Sequence, residues 1–344
     1  MQDGGKHMKN LQIFSIQRSK LGFLCILSVL TIVIAVLSLV IGSVQIAPAD
    51  VFAALFGKES STTAARIILY SRLPRTCAAM LAGASLAVSG VVIQAVLNNS
   101  LASPSTIGVN SSAGFAVALM CALVPQAQQY TPYVAFVGAL AGVLFVMILS
   151  QSTVAARITV VLAGVAISNF FSAAIDAVVT FVPDALNGVT DFRIGGFSGV
   201  TMSQLVPAAR VIVISLLIVL TLSQQLDILS LGSDTAKSLG LSVGPMRIVF
   251  LVLAAALAGA AVSFSGLIGF VGLIVPHIMR RLVGEESGVL LFASAMGGAF
   301  FVMLCDLAAR VMFAPFEIPV GIVLAFAGAP FFLWLLFKQR GGRI

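Results

Sequence analysis

Charged residues are scarce in this chain of 344 residues. Asp, Glu, Lys and Arg make up 9% of it, whereas a soluble globular domain carries about a quarter. Hydrophobic residues make up 60%, and the mean hydropathy is +1.12. This composition excludes an ordinary water-soluble fold and indicates an integral membrane protein.

Cysteine and histidine are also sparse, and they are isolated from one another. Cys25, Cys77, Cys121 and Cys305 each lie alone in an apolar segment, which suits neither a CxxC metal site nor a disulfide framework. His277, in IVPHIMRR, has no second ligand at helical spacing. We therefore expect no metal site and assign these side chains to packing and helix-end hydrogen bonding.

Motifs of catalysis and nucleotide binding are missing from the sequence. It contains no G-x-x-x-x-G-K-[ST] loop, no HExxH and no GxSxG. We expect no catalytic residue and no cofactor bound by this chain. The net charge of +7 comes from basic residues scattered at helix ends, not gathered with stacking aromatics, so nucleic-acid binding is not favoured.

Long apolar runs, rather than short alternating segments, favour membrane helices over a β-barrel. Breaks at Pro, Gly, Asn and charged clusters divide the chain into ten candidate spans: 21–43, 75–97, 106–124, 131–150, 158–181, 203–223, 246–263, 266–283, 288–312 and 319–337. The predicted fold class is all-α: a polytopic membrane protein with about ten transmembrane helices, in one domain over 1–344.

An even number of spans places both termini on one side of the membrane. Twelve lysines and arginines fall on that side and six on the other, while the last of the 19, Arg210, lies within a helix. This bias predicts cytoplasmic termini, with 1–20 as a cytoplasmic N-terminal segment. The run 21–43 is too long for a signal-peptide core, and we expect it to be a retained helix.

Two connections are long and patterned. Residues 44–74 contain a possible short helix, Pro48–Phe56. Residues 224–245, QQLDILSLGSDTAKSLGLSVGP, predict two short amphipathic helices at the cytoplasmic face, the second capped by Asp234. Exposed apolar residues there are typical of a docking surface or of a loop resting on lipid, and the sequence leaves both interpretations open.

Five motifs occur in a fixed order along nearly the whole chain. They are RLPR at 72–75, SGVVIQAVLNNSLASPSTIGV at 89–109, LSLGSDTAKSLGL at 229–241, GLIGFVGLIVPHIMRRLVG at 266–284 and EIPVGIVLAFAGAPFFLWLL at 317–336. Together they resemble the FecCD-type permeases of binding-protein-dependent ABC importers. That family carries ferric siderophores, haem or cobalamin.

The resemblance implies a BtuC-like type II ABC importer permease fold in the bacterial cytoplasmic membrane. It implies a second permease subunit, identical or homologous, two cytoplasmic ATP-binding subunits and an extracytoplasmic substrate-binding protein, all within membrane lipid. ATP and Mg would bind the partner ATPase subunits. An iron siderophore is the first expectation for the substrate, ahead of haem and cobalamin.

The resemblance also assigns a docking role to Arg72, Arg75 and Arg310, which would pair with acidic side chains of the binding protein. Arginine suits this role because its planar fork makes bidentate bonds to carboxylates. Two alternatives remain. Arg72 or Arg75 can reach lipid headgroups, and Arg310 can pair with Asp306 one helical turn away.

On the inner side, the resemblance places the ATPase-coupling residues at Leu231, Gly232, Ala236, Leu239 and Gly240. A short apolar face with glycine breaks would let these helices act as rigid levers when the ATPases close.

The cytoplasmic gate of the family maps to Asn99 and Leu101. Here Ser100 stands where proline is usual, which leaves the rigidity of that turn open. Arg193, in DFRIGGFSG, is a second departure, because the family commonly has an aromatic residue there.

Asp176 and Arg210 lie inside predicted spans, where an unpaired charge has a high free-energy cost. We interpret them as an ion pair between neighbouring helices, with a polar patch lining the pathway as the alternative. In a secondary transporter, Asp176 or Asp306 would be the titrating carboxylate. The 224–245 loop and RLPR favour an ATP-driven importer over a secondary transporter or a membrane anchor, because only the importer has an ATPase to dock.

Overall fold

The computed structural model describes residues 3–42, 44, 46–57, 62–150, 156–314 and 316–340. Within these ranges every regular element is helical. The α-helices are α1 (Asp3–Val40), α2 (Pro48–Phe56), α3 (Thr63–Ile67), α4 (Leu73–Leu97), α5 (Val109–Leu123), α6 (Thr131–Ser150), α7 (Ala156–Phe181), α8 (Leu186–Ile194), α9 (Met202–Thr221), α10 (Ser223–Ser230), α11 (Ser233–Ser238), α12 (Val243–Ser265), α13 (Val271–Val283), α14 (Ser287–Val311) and α15 (Val320–Arg340).

Each of the ten predicted spans coincides with one of these helices, and the all-α polytopic fold class is confirmed. Among the described residues, seven helical stretches are long and apolar enough to cross a membrane: Lys20–Val40, Thr63–Leu97, Pro125–Ile148, Leu162–Phe181, Met202–Thr221, Val243–Ser265 and Ser287–Val311. The other three predicted spans are shorter. The apolar part of α15 covers Val320–Leu335, α5 covers Val109–Leu123, and α13 has 13 residues.

The predicted span 266–283 begins too early, because α13 starts only at Val271. Gly266 and Phe270 have φ angles of 65° and 67°, which a right-handed helix does not accommodate. The intervening loop is bound elsewhere, since the Leu267 N–H donates to the Phe192 carbonyl at 2.9 Å. Residues 266–270 therefore form a break between α12 and α13, next to the end of α8.

Helix α4 is the centre of the bundle and packs on α12, α13 and α14. Glycines allow two of these crossings to bring backbones together. A Cβ atom added to Gly83 would lie 2.1 Å from the Gly298 carbonyl oxygen of α14, and one added to Gly90 would lie 1.9 Å from the Gly272 oxygen of α13. No side chain separates the helices at these points, so α4 and α14 are in direct backbone contact.

The described residues of the connection between α1 and α4 are largely helical. The short helix predicted at Pro48–Phe56 is confirmed as α2. Helix α3 passes through a π-helical turn, Ile68–Arg72, directly into α4. A small apolar cluster of Ile46, Val51, Ala54, Ala65 and Ile68 packs α2 against this segment.

The two short helices predicted in 224–245 are also confirmed, as α10 and α11. The predicted cap is wrong, because Gly232 occupies the N-cap position of α11 and Asp234 lies inside the first turn. A carboxylate there still interacts favourably with the positive end of the helix dipole. Gly232 takes a φ of 109°, which provides the sharp turn between the two helices.

Candidate functional site

Arg75, at the start of α4, lies between two carboxylates. Its Nε donates to both oxygens of Asp306 at 3.1 Å, and its Nη1 donates to Glu317 Oε2 at 2.5 Å. The Asp306 side chain is 1% exposed, whereas that of Glu317 is 32% exposed. The guanidinium therefore has one fully buried partner and one that reaches the surface.

Arg310 approaches the same buried carboxylate from α14. Its Nε lies 3.3 Å from Asp306 Oδ2, one helical turn earlier in the same helix. Its Nη1 and Nη2 donate to the Ser38 carbonyl at 3.1 Å and to Ser38 Oγ at 2.6 Å. The alternative pairing of Arg310 with Asp306 is thus present, and Arg310 also holds α1 against α14.

Arg72 binds the carboxyl end of α1. Its Nη1 donates to the carbonyls of Leu39 and Val40 at 2.8 and 2.6 Å, and its Nη2 donates to the carbonyl of Val44. The last carbonyls of a helix have no partner within it and carry the negative end of the helix dipole. The buried Arg72 guanidinium donates hydrogen bonds to these carbonyls, and its positive charge lies at the negative end of the helix dipole. Arg72 therefore points into the protein and not toward lipid headgroups.

The three arginines predicted to dock a binding protein therefore do lie together, in a buried cluster with Asp306 and Glu317. Three guanidinium groups and two carboxylates leave the cluster with a formal charge of +1. All three arginines are buried. Their role in docking stays a prediction.

A cavity of about 700 Å³ opens beside this cluster. Its wall is formed by the ends of α4, α5 and α12, by α8 with the glycine-rich turn after it, and by residues 317–320. Arg75, Asp191 and Glu317 are the charged residues of the wall. Arg75 and Glu317 also line a second pocket of about 50 Å³ with Arg72 and Arg310.

The predicted gate residues lie in the turn that ends α4. Asn98 adopts a left-handed conformation with a φ of 49°, and the Asn99 N–H donates to the Gln94 carbonyl at 3.0 Å. Asn99 Oδ1 accepts from the Leu101 N–H at 3.0 Å. This side-chain turn encloses Ser100, so Asn99 stabilises the turn where the usual proline is missing. The gate role of Asn99 and Leu101 stays a prediction.

The end of α4 is also bound to α13. Gln94 Nε2 donates to the Gly272 carbonyl at 3.2 Å, and Arg280 Nη1 donates to Gln94 Oε1 at 3.1 Å. The turn that carries Asn99 is therefore connected to the helix that follows the 266–270 break.

The five predicted coupling residues fall into three groups. Leu231 and Leu239 are each 59% exposed, and Ala236 is fully buried. Gly232 and Gly240 both have positive φ angles, of 109° and 84°. The leucines are thus available to a partner, the alanine holds α11 on the bundle, and the glycines form the turns.

Comparison with models of known protein families matches residues 30–338 to the FecCD transport family. The chain belongs to this family.

Relatives of this FecCD chain include permease proteins of an Fe(3+)-citrate import system and of a hemin transport system. It is 36% identical over 327 residues to the Fe(3+)-citrate import system permease protein YfmE of Bacillus subtilis, covering 94% of this chain and 97% of that protein. It is 35% identical over 333 residues to the hemin transport system permease protein HmuU of Yersinia pestis, covering 95% and 97%. The family is one of transport permeases, not enzymes.

A solved structure has the same fold as this FecCD chain. It is described as an inward-facing conformation of a metal-chelate type ABC transporter, and it matches with a TM-score of 0.81 at 30% identity. The match covers 92% of this chain and 99% of that one.

The predicted pair between Asp176 and Arg210 is wrong in this FecCD chain. Asp176 of α7 lies 3.2 Å from Arg193 of α8, while Arg210 is exposed on α9. Arg193 lies in the last turn of α8, and the segment after α7 folds back so that this side chain reaches Asp176. This pairing gives Arg193, one of the two departures from the family pattern, a structural partner.

Glu317 is the site residue that the sequence reasoning missed. It is the first residue of EIPVGIV, directly before the last span. The sequence shows an acidic residue ahead of an apolar run, but it does not indicate that Arg75 is the partner of this carboxylate. The Ile318 N–H donates to the Ala309 carbonyl at 3.2 Å, which holds this segment against the end of α14.

Proposed function

We propose that this chain is the transmembrane permease subunit of an ATP-binding-cassette importer for an iron siderophore or a related metal chelate. The observation that carries the proposal is the family match over 30–338. The exposed Leu231 and Leu239, on a pair of short helices, support it further, because a secondary transporter has no ATPase for such a surface to bind.

The partners follow from this assignment. Two cytoplasmic ATP-binding subunits bind the α10–α11 pairs, carry ATP and Mg, and supply the energy. A second permease subunit, identical or homologous, completes the pathway, and an extracytoplasmic binding protein delivers the chelate. Both termini are cytoplasmic in the bacterial cytoplasmic membrane, in agreement with the distribution of basic residues.

Docking of the binding protein takes place at the arginine cluster. Arg75 is the arginine best placed for a direct contact, because it lines the cavity and its second partner, Glu317, is partly exposed. Arg72 and Arg310 act on docking indirectly, by holding the ends of α1 and α14 that shape the surface. The cavity of about 700 Å³ next to the cluster then receives the chelate that the binding protein releases.

Transport by the reconstituted complex tests the proposal. The permease is placed in lipid vesicles with its ATPase subunits and with binding protein loaded with ferric citrate, haem or a ferric hydroxamate. We expect uptake of one of these chelates only when ATP is on the ATPase side and the loaded binding protein is on the other. Uptake driven by a proton or sodium gradient without ATP would favour the secondary transporter instead.

A further inference from the structure

Asp227 of α10 caps a helix to which it does not belong. Its Oδ1 accepts from the backbone N–H of Ser287, the first residue of α14, at 2.9 Å. The first N–H groups of a helix have no acceptor within it, and a negative charge near them is stabilising. Glu286, in the N-cap position of α14, makes no such bond with its own side chain. Asp227 thus performs this function from α10.

The rest of α10 is held in the same place by apolar contacts. Leu226 and Leu229 are fully buried, and α10 packs against both α4 and α14. One residue after α10 comes the exposed Leu231. A force applied to Leu231 therefore acts next to α10, which contacts α14.

Helix α14 is suited to carry a displacement across the membrane. It is continuous over its 25 residues, a length of about 37 Å at 1.5 Å per residue. Gly298, near its middle, is in backbone contact with Gly83 of α4, because a Cβ on Gly298 would lie 2.2 Å from the Gly83 oxygen. With no flexible side chain between them, α14 and α4 move together at this point.

The far end of α14 reaches the arginine cluster and the cavity wall. Asp306 holds Arg75 there, and the Ala309 carbonyl accepts from the Ile318 N–H at 3.2 Å. Residues 317–320 line the cavity. Gly321, just beyond them, donates its N–H to the Gly195 carbonyl of the turn after α8 at 3.2 Å. The contacts from α10 to the cavity wall are thus continuous through one helix.

We propose that α14 is the rigid link through which movement of α10 reaches the arginine cluster and the cavity, and that Asp227 is the positioning residue that holds α10 to it. This inference rests on the proposed function. When the ATPase subunits displace α10 and α11, the start of α14 follows, and Asp306 with the 317–320 segment is displaced at the other end. The same link carries the signal of a docked binding protein in the reverse direction, as reciprocity of coupling requires.

Two substitutions of Asp227 separate this role from simple capping. Asp227→Asn keeps an acceptor oxygen of the same reach, whereas Asp227→Leu has a similar size and no acceptor. Glu285→Leu is the matched control, because it also replaces a carboxylate by an apolar side chain close to the start of α14, at an exposed position outside α10 and α11. Each variant is purified as the full complex with its ATPase subunits and reconstituted in lipid.

The measured quantities are basal ATP hydrolysis, its stimulation by loaded binding protein, and uptake of the chelate. For Asp227→Leu we expect basal hydrolysis within twofold of the wild type and at least a fivefold loss of both stimulation and uptake. Asp227→Asn and Glu285→Leu should retain most of both. Wild-type stimulation in Asp227→Leu, or equal losses in Asp227→Asn or in the control, would overturn the inference.

A second measurement needs no change at Asp227. Spin labels at Ser230→Cys and Val289→Cys, in a chain whose four cysteines are replaced by alanine, report the distance from α10 to the start of α14. We expect this distance to be equal in the nucleotide-free and ATP-bound complexes. A change of one helical turn, about 5.4 Å, would overturn the rigid link. Failure of the proposed function would instead appear as absent ATP-dependent uptake in the wild type.

Discussion

Arg75 and Glu317 form an ion pair that lines both the large cavity and the small pocket beside it. Asp306, on the other side of the same guanidinium, is almost fully buried. An acidic group on a docked protein can therefore replace Glu317 without disturbing the buried half of the arrangement. The predictions for docking follow from this asymmetry.

Glu317→Gln is expected to tighten docking of the binding protein. The substitution removes the carboxylate that competes for Arg75 and leaves the bond to Asp306 in place. We expect a three- to tenfold gain in affinity, about 0.7 to 1.4 kcal/mol, and this gain should shrink at high salt. A titration of the permease complex with binding protein at two salt concentrations measures it.

Glu285→Gln is the control for this titration, because Glu285 is exposed between α13 and α14 at the other end of the bundle. It should leave the affinity unchanged. Equal or weaker docking by Glu317→Gln would show that Arg75 does not meet an acidic partner there.

Arg310→Met is expected to lower stability more than docking. The substitution leaves the Ser38 carbonyl without its donor and takes one of two arginines from the buried Asp306. Breaking a buried pair by removing one partner costs about 3 to 5 kcal/mol. Thermal unfolding of the purified complex should show a clearly lower transition. Normal stability with a selective loss of docking affinity would instead support the direct contact that the sequence predicts.

Leu239 and Ala236, which the sequence predicts to contact the ATPase subunit, should respond differently when each is replaced by glutamine. Leu239→Gln changes an exposed side chain, so we expect weaker binding of the ATPase subunits with unchanged thermal stability. Ala236→Gln places a long polar side chain at a fully buried position, where overpacking costs about 1 to 3 kcal/mol. Copurification of the ATPase subunit and thermal unfolding, measured on both variants, separate the two roles.

This prediction corrects an expectation from the sequence, in which Ala236 belongs to the contact surface. If Ala236→Gln assembles and unfolds as the wild type does while Leu239→Gln is unstable, the structural division of the two residues is wrong.

The gate is tested by cysteine crosslinking. If Asn99 and Leu101 close the inner end of the pathway, cysteines at these positions should crosslink between the two permease subunits in the closed state and separate in the inward-open state. Asn99→Ala removes the acceptor for the Leu101 N–H, so the turn loses the hydrogen bond that stabilises it. We therefore expect this substitution to increase crosslinking of Leu101→Cys in the inward-open state. Crosslinking that is the same in every state would contradict the gate assignment.

The helical content and the approximate spans could be predicted because their signals are local. In a bilayer each backbone polar group must be satisfied within the chain, so long apolar runs become helices and Pro, Gly or charge marks their ends. The two short helices α10 and α11 could be predicted for the same reason, because their amphipathic pattern and the break at Gly232 are local signals. The start of α13 could not be predicted in this way. It depends on the positive φ of Phe270, which is rare for a bulky residue and which the residue type does not indicate.

The partners of the charged residues were decided by tertiary structure alone. Arg75 meets Asp306 and Glu317, which lie 231 and 242 residues further along the chain, and Asp176 meets Arg193 instead of Arg210. Asp227 and Ser287 come together only because α10 packs beside the start of α14. The sequence by itself determined which segments enter the membrane and that charges stand at their ends. Two of those charged side chains bind each other only where the packed bundle brings them within about 3 Å. The packing of the helices sets these distances, through backbone contacts such as that of Gly83 with Gly298.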